Sequence, residues 1–187
     1  MDRTMAAAHR EAFMDGMRAR GGGVAVLPTG PEKVRNRDVH YPFRADSDFW
    51  YLTGFPEPDA VAVLCPDRDE GRYVLFVRPK DPEMETWHGR RAGVDGAVDD
   101  YGADAAYPIE SLAEELPKLL ADSSQLFYAT GLDPDFDRTL LTQLHTMATR
   151  TRDGTKVPAT VVDPGTILHE QRLRKSDEEL VLMRRAA

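Results

Sequence analysis

Hydrophobic positions along this chain recur in two spacings, one typical of helices and one typical of strands. Residues 2–20 repeat apolar side chains near helical spacing and end at three glycines, which predicts a first helix. Short apolar runs that end near Pro or Gly predict strands at residues 24–27, 49–53, 60–64, 72–78, 125–129 and 159–163. Helical spacing returns at residues 108–120 and 133–148, the latter with an inner face of Leu140, Leu141, Leu144 and Met147.

The order of these elements indicates the fold class. Short connections join the runs at 49–53, 60–64 and 72–78, which favours antiparallel neighbours. Strands and helices interleave along the whole chain, so we expect an α/β domain with a mixed sheet. Residues 29–48 are polar and without periodicity, as in a functional or disordered loop. Residues 81–91 are predicted to form one helical turn or a loop.

The last segment predicts a helix that starts well and has no stop signal. Ser176 and Glu179 have the spacing of a capping box, in which each side chain accepts from the other residue's amide. No Gly, Asn or Pro closes the helix before Ala187. We expect this chain to be the front part of a longer polypeptide, with a natural terminus that frays as the alternative.

Composition narrows the choice of partners and compartment. The chain has 187 residues, and its 24 basic against 32 acidic side chains give a formal charge of −8. That charge disfavours nucleic acid and anionic lipid, and no apolar stretch approaches the ~18 residues that a membrane span needs. The single cysteine, Cys65, lies in an apolar run and is interpreted as a structural thiol. We therefore expect a cytoplasmic protein with no nucleic-acid or membrane partner.

Residue patterns identify no active site within the chain. The five histidines are scattered without metal-ligand spacing, and no Gly-x-Ser-x-Gly motif is present. The acids that begin at Asp133 resemble the start of a calcium loop, but Arg138 and Leu144 stand where Gly and Glu are needed. Capping of the following helix by Asp133 or Asp135 explains them better. We expect no catalytic residue and no metal ligand here.

Two segments are richer in chemistry than folding requires. Residues 37–55 alternate charges with large aromatics, and these aromatics could pack under a loop fixed by an ion pair between Arg44 and Asp46 or Asp48. Residues 86–91 place Trp87 beside glycine and two arginines. Because Trp and Arg dominate interface hot spots, a contact surface is one interpretation, and a tryptophan folded against its own domain is the other.

The same segments carry a family resemblance. Residues 38–58 resemble the signature of the N-terminal domain of Xaa-Pro aminopeptidase (aminopeptidase P), and residues 87–91 resemble its Trp-x-Gly-Arg-Arg element. Residues 158–160 and 169–179 resemble the junction into its catalytic domain. These matches follow the family's order over nearly the whole chain. The resemblance implies the creatinase/prolidase N-terminal domain, a mixed β-sheet flanked by helices with a ribonuclease H-like architecture.

The resemblance also implies that this domain and a separate catalytic domain have different roles. Residues 1–174 would form the aminopeptidase P N-terminal domain, and residues 175–187 would start the linker helix into an absent C-terminal pita-bread catalytic domain. The complete protein would be a metalloaminopeptidase that removes the N-terminal residue preceding proline. Two divalent metal ions, usually manganese, would be held by two Asp, one His and two Glu of that absent domain. The 187-residue chain alone is expected to be inactive.

Three residues are expected to bind substrate by their position in the family motifs. Trp87 matches a tryptophan that lines the cleft of a neighbouring subunit, and Asp38 matches an acid that reaches the same region. Arg152 aligns with an arginine near the substrate when residues 158–160 are in register, although Arg150 is only two residues away. The resemblance thus implies a homo-oligomer acting on peptides with proline second, and we expect Trp87 to be exposed in this domain.

Two alternatives remain open. Related domains occur in non-peptidase proteins, where they act as interaction modules without catalysis. The other alternative is the N-terminal domain of a prolidase, an enzyme restricted to Xaa-Pro dipeptides. The sequence beyond Ala187 would distinguish an interaction module from a peptidase. Activity on peptides longer than dipeptides would distinguish an aminopeptidase from a prolidase.

Overall fold

A computed structural model describes residues 2–149 and 154–187 of the chain. Its strands are β1 (Val24–Pro28), β2 (Val34–Asn36), β3 (Val39–His40), β4 (Val61–Leu64), β5 (Tyr73–Val77), β6 (Ala105–Pro108), β7 (Gln125–Phe127) and β8 (Thr160–Val162). Its α-helices are α1 (Arg3–Arg18), α2 (Ser47–Thr53), α3 (Pro82–His88), α4 (Gly93–Asp99), α5 (Leu112–Leu120), α6 (Pro134–Thr149), α7 (Gly165–Leu173) and α8 (Asp177–Ala186). No helix in the described residues has both the length and the apolar character needed to cross a membrane.

Six strands form one mixed sheet in the order β6-β5-β4-β1-β7-β8, and β2 pairs with β3 separately. Strand β4 is antiparallel to both β1 and β5, while the outer pairs β5/β6, β1/β7 and β7/β8 are parallel. The parallel pairs need long crossovers, and helices supply them. The predicted mixed sheet flanked by helices is confirmed.

The alternation of side chains along each strand builds two cores. On β1, Ala25 and Leu27 join a cluster with buried residues of α1, α2 and α7, while Val24 and Val26 join a second cluster with α5 and α6. Because successive side chains point to opposite faces, one apolar strand supports both helical layers. The sheet is therefore the middle of three layers.

Residues 49–53, predicted as a strand, belong to helix α2, so that prediction is wrong. The Asp46 side chain accepts hydrogen bonds from the amides of Asp48 and Phe49 at 2.8 and 3.1 Å, which starts the helix. Gly54 ends it with φ of 65°, the left-handed conformation that glycine adopts easily. Phe49 and Leu52 are both fully buried, one turn apart. Capping and packing override the strand propensity of the aromatic residues.

Other departures from the predicted pattern are local. The polar stretch 29–48 contains the β2–β3 hairpin as well as the start of α2, and the hydrophobic pattern does not predict α4, β6 or α7. In α6, Leu140 is buried as predicted, but Leu141 is 55% exposed and does not belong to the inner face. The capping box of α8 forms, with Ser176 and Glu179 each accepting from the other's amide.

Helix α7 packs directly on α1 and so fixes the start of α8. A Cβ atom built on Gly16 of α1 would lie 2.6 Å from the Ile167 side chain of α7, so only glycine permits this approach. Ile167 and Leu168 are buried in the contact. The last helices are thereby anchored to the first.

Candidate functional site

Trp87 lies near the end of α3, in a segment between β5 and α4. Asp81 starts this short helix, because its side chain accepts from the amides of Glu83 and Met84 at 3.1 Å each. Gly89 follows the helix with φ of 84°. Trp87 is 79% exposed, so the prediction that it faces solvent is confirmed, and the alternative of a tryptophan folded against its own domain is wrong.

The two ends of this segment are tied together. The Arg91 guanidinium donates a hydrogen bond from Nη1 to the carbonyl oxygen of Pro79 at 3.2 Å. The Arg91 amide donates to the Glu85 carboxylate at 3.3 Å, which links the end of the segment back to α3. Residues 79–91 therefore leave and re-enter the domain at one point, and Trp87 lies away from that base.

Glu57 connects the base to the body of the domain. Its Oε1 accepts a hydrogen bond from the Ala92 amide at 2.6 Å, and its Oε2 lies 3.5 Å from Nη2 of Arg78 at the end of β5. The Glu57 and Arg78 side chains are only 12% and 18% exposed, so this ion pair is screened less than a surface pair. Burial, reinforced by the Glu57 charge, raises the pKa of the nearby Tyr101 hydroxyl, which stays neutral.

Asp38 lies in the turn between β2 and β3 and is exposed. The preceding Arg37 takes φ of 48°, a left-handed turn conformation that is uncommon outside glycine. The hairpin presents three exposed apolar side chains, those of Val34, Val39 and Tyr41. Among the described interactions, no hydrogen bond or ion pair joins Asp38 to Trp87.

The third expected substrate-binding residue, Arg152, lies outside the described residues, and so does Arg150. Roles of Trp87, Asp38 and Arg152 in substrate binding therefore stay predictions. The described part of the chain establishes only that the first two are available at the surface.

A groove of about 610 Å³ runs between the start of α1, the segment before α2, and the α7–α8 region. Its apolar walls are formed by Met5, Phe43, Trp50, Pro56, Leu182 and Met183. Charged side chains line it as well, those of Arg44, Arg172, Lys175 and Glu179. The expected pairing of Arg44 with Asp46 or Asp48 is wrong, because Asp46 caps α2 and Asp48 pairs with Arg172.

A buried polar cluster beneath this groove joins four helices. The His9 ring stacks on Tyr51 at 3.8 Å, and its Nδ1 lies 3.0 Å from the Tyr51 carbonyl oxygen, so Nδ1 carries a proton and donates. Nε2 of His9 lies 3.9 Å from the Glu179 carboxylate, and the His9 carbonyl accepts from Gln171. Burial, followed by the charge of Glu179, raises the pKa of Tyr51. The cluster fixes α8 against α1 and α2.

The described residues were compared with what a metal centre or a thiol nucleophile needs. Across residues 2–149 and 154–187, no three His, Cys, Asp or Glu side chains are grouped to hold a metal ion. Burial raises the pKa of Cys65 to about 12, so its thiol is protonated at neutral pH and is a poor nucleophile. The described residues therefore do not fit a metal centre.

Glu57 and Arg78 are the residues of this region that the sequence patterns do not single out. Glu57 falls within the run 38–58 that carries the family resemblance, which is the one available signal. Its contact with Ala92 spans 35 positions, so only the folded chain reveals it.

Comparison with known proteins places these features in context. The family described as "Aminopeptidase P, N-terminal domain" matches residues 6–128. The chain is 37% identical over 178 residues to the Xaa-Pro aminopeptidase of Escherichia coli (strain K12), covering 95% of this chain and 40% of that protein. It is 38% identical over 156 residues to the Xaa-Pro aminopeptidase of Haemophilus influenzae, covering 83% of this chain and 34% of that protein. The chain thus spans well under half the length of these curated relatives.

Solved structures of aminopeptidases also match this chain over nearly its whole length. The aminopeptidase PepP of Pseudomonas aeruginosa superposes with a TM-score of 0.93 at 45% identity, covering 98% of this chain and 41% of that one. A zinc-substituted aminopeptidase P of Escherichia coli in complex with product superposes with a TM-score of 0.92 at 36% identity. It covers the whole of this chain and 42% of that one.

Proposed function

Because this chain belongs to the aminopeptidase P N-terminal domain family, we propose that it is the non-catalytic N-terminal domain of a metal-dependent Xaa-Pro aminopeptidase. The complete enzyme would remove the N-terminal residue that precedes proline. Residues 1–174 would form the domain, and residues 175–187 would start the linker helix. The observation that carries the proposal for this domain is the exposure of Trp87 on a segment whose base is fixed.

Trp87 is suited to a cleft that receives proline. A flat indole face can cover the apolar pyrrolidine ring and exclude water, while other groups recognise the amides. Its own domain leaves 79% of the residue uncovered, so the side chain is free to contact a substrate in a neighbouring subunit's cleft. Asp38 and Arg152 are proposed to reach the same cleft, where they would supply charge.

The domain is also proposed to support oligomerisation. The β2–β3 hairpin is exposed along its length and carries Val34, Val39 and Tyr41. Exposed apolar side chains on one hairpin favour burial against another subunit, and oligomer interfaces gain most from aromatic anchors such as Tyr41. A homo-oligomer would bring Asp38, at the tip of this hairpin, to a second copy.

We propose that a C-terminal catalytic domain, outside these 187 residues, holds the metal ions of the complete enzyme. Two divalent ions, with manganese the expected metal, are proposed to bind there. Helix α8 leaves Val181, Leu182 and Met183 partly exposed, and contact with the enzyme's own catalytic domain would cover them. We further propose a cytoplasmic location, which a chain of 187 residues with a single, buried cysteine favours.

The test compares the 187-residue chain with a longer protein that includes the downstream domain, each supplied with manganese. We expect the longer protein to cleave Xaa-Pro-Yaa peptides and the short chain to be inactive. Matched Xaa-Ala-Yaa peptides control for proline specificity. Cleavage of Xaa-Pro dipeptides alone would identify a prolidase instead, and inactivity of the longer protein would favour a binding module. Turnover by the short chain would refute its assignment as non-catalytic.

A further inference from the structure

The position of Trp87 depends on contacts made elsewhere. Short helix α3 has seven residues, too few to be stable by itself, so its surroundings must hold it. The hydrogen bond from Arg91 to Pro79 closes the base of the segment, but both residues belong to the segment itself. A contact with the rest of the domain is needed to fix the direction in which α3 points.

Glu57 makes that contact from outside the segment. Its carboxylate accepts from the Ala92 amide, immediately after Arg91, and faces the Arg78 guanidinium at the end of β5. One side chain thus connects the segment's exit to the strand that leads into it. Both ionic groups are mostly buried, so water competes poorly for the carboxylate and loss of this side chain is not readily compensated.

We propose that Glu57 is a positioning residue that sets the orientation of Trp87 through the Ala92 amide. The proposal rests on the proposed function in one respect, that Trp87 contacts substrate in the complete enzyme. The proposal that Glu57 restrains Trp87 is supported by the contacts described above and can be tested in the 187-residue chain.

The mechanical test uses Trp87 as its own probe. The chain has two tryptophans, so Trp50→Phe leaves Trp87 as the single tryptophan, whose emission is excited at wavelengths where tyrosine does not absorb. We then compare Glu57→Ala with Glu57→Gln, because glutamine loses the charge but keeps an oxygen that can accept from the Ala92 amide. Both changes leave Arg78 without its partner and lower stability. Only Glu57→Ala is expected to free Trp87, raising the amplitude of its fast, nanosecond anisotropy decay about twofold.

A remote ion pair supplies the control. Glu11→Ala removes a 2.7 Å pair with Arg72, far from the segment that carries Trp87, and should leave the anisotropy unchanged. If Glu57→Ala does not fold, Ala92→Pro replaces it, because proline fits the φ of −62° at this position and removes the amide that donates to Glu57. In that case Ala92→Pro should raise the fast amplitude, while Glu57→Gln should not, and an unchanged amplitude in Ala92→Pro would overturn the proposal. An unchanged amplitude in Glu57→Ala, or equal increases in Ala and Gln, would overturn the proposal.

Kinetics in the longer enzyme separate this proposal from the proposed function. We expect Glu57→Ala to raise KM for Xaa-Pro-Yaa peptides about fivefold or more with kcat within about twofold, since uniform binding is lost, and Gln to restore KM. Should Trp87→Ala itself leave KM unchanged, the substrate role of Trp87 fails, while the anisotropy still decides the role of Glu57. A loss of kcat in both Glu57 variants with KM unchanged would overturn the positioning role.

Discussion

Replacing each tryptophan by alanine should separate a surface role from a folding role. Trp87 is 79% exposed and Trp50 is 37% exposed, so the domain buries about three times more of Trp50. Taking about 250 Å² for a tryptophan side chain, the buried areas are about 50 Å² and about 160 Å². At about 25 cal/mol per Å², Trp87→Ala should cost about 1 kcal/mol of unfolding free energy and Trp50→Ala about 4 kcal/mol.

Urea unfolding of the 187-residue chain measures this difference. With a slope of about 2 kcal/mol per molar urea, the midpoint should fall by about 0.5 M for Trp87→Ala and about 2 M for Trp50→Ala. The comparison of two identical substitutions is more robust than either value, because errors in the unfolded-state area largely cancel. Equal shifts, or a larger shift for Trp87→Ala, would refute the view that Trp87 is external to the core.

The same Trp87→Ala change should have a large effect in the longer enzyme. If Trp87 covers the proline ring, its loss removes a hot-spot contact of about 2 kcal/mol or more, which is about a 30-fold fall in kcat/KM for Xaa-Pro-Yaa peptides. The oligomeric state, followed by sedimentation, serves as the control for assembly. Unchanged kcat/KM in a fully assembled variant would contradict the substrate role.

Three further predictions follow from local contacts. Asp46→Ala removes the cap of α2 and should lower the unfolding free energy by about 1 kcal/mol in chemical denaturation, whereas Asp46→Asn should retain most of it. Ser176→Ala breaks the capping box of α8, so amide exchange at Glu179 should accelerate about fivefold or more while global stability barely changes. Because burial raises the pKa of Cys65 to about 12, about 0.01% of this residue is thiolate at pH 8 in the folded chain, compared with about 10% in the unfolded chain. A disulfide reagent should therefore react with Cys65 at least about a thousandfold faster after unfolding. Because the folded-state pKa lies above the unfolded one, this thiol's contribution to stability is complete below about pH 9 and declines as pH rises toward 12.

The sequence predicts elements well where one local signal dominates. Alternating β-branched residues identify β1 and β4, and the spacing of Ser176 and Glu179 identifies the start of α8. Residues 49–53 fail because Phe49 and its aromatic neighbours favour a strand locally, while the Asp46 cap and burial of one helical face decide the outcome. Helix α4 is missed because Gly93 and Gly96 have low helix propensity, although Gly93 takes a left-handed φ of 65° and a Cβ on it would lie 2.7 Å from the Lys80 side chain.

The candidate site, too, could be predicted from the sequence only in part. Exposure of Trp87 is predictable because its neighbours in sequence are polar and end at glycine. The restraint by Glu57 is not, since it depends on residues 57, 78 and 92 meeting in the fold. Sequence motifs thus identify which residues lie at the surface, while the contacts that orient those residues can be recognised only in the folded structure.

The fixed base of the segment that carries Trp87 affects how sequences of this domain family can change. The groups that restrain the segment, in Glu57, Arg78 and Arg91, lie apart from the residues at its tip. Residues 83, 84, 86 and 87 are exposed and could therefore vary with little loss of folding free energy. If the proposed substrate role of Trp87 holds, preference among peptides can diverge between descendants by substitutions at the tip alone, while the residues that fix the base stay unchanged.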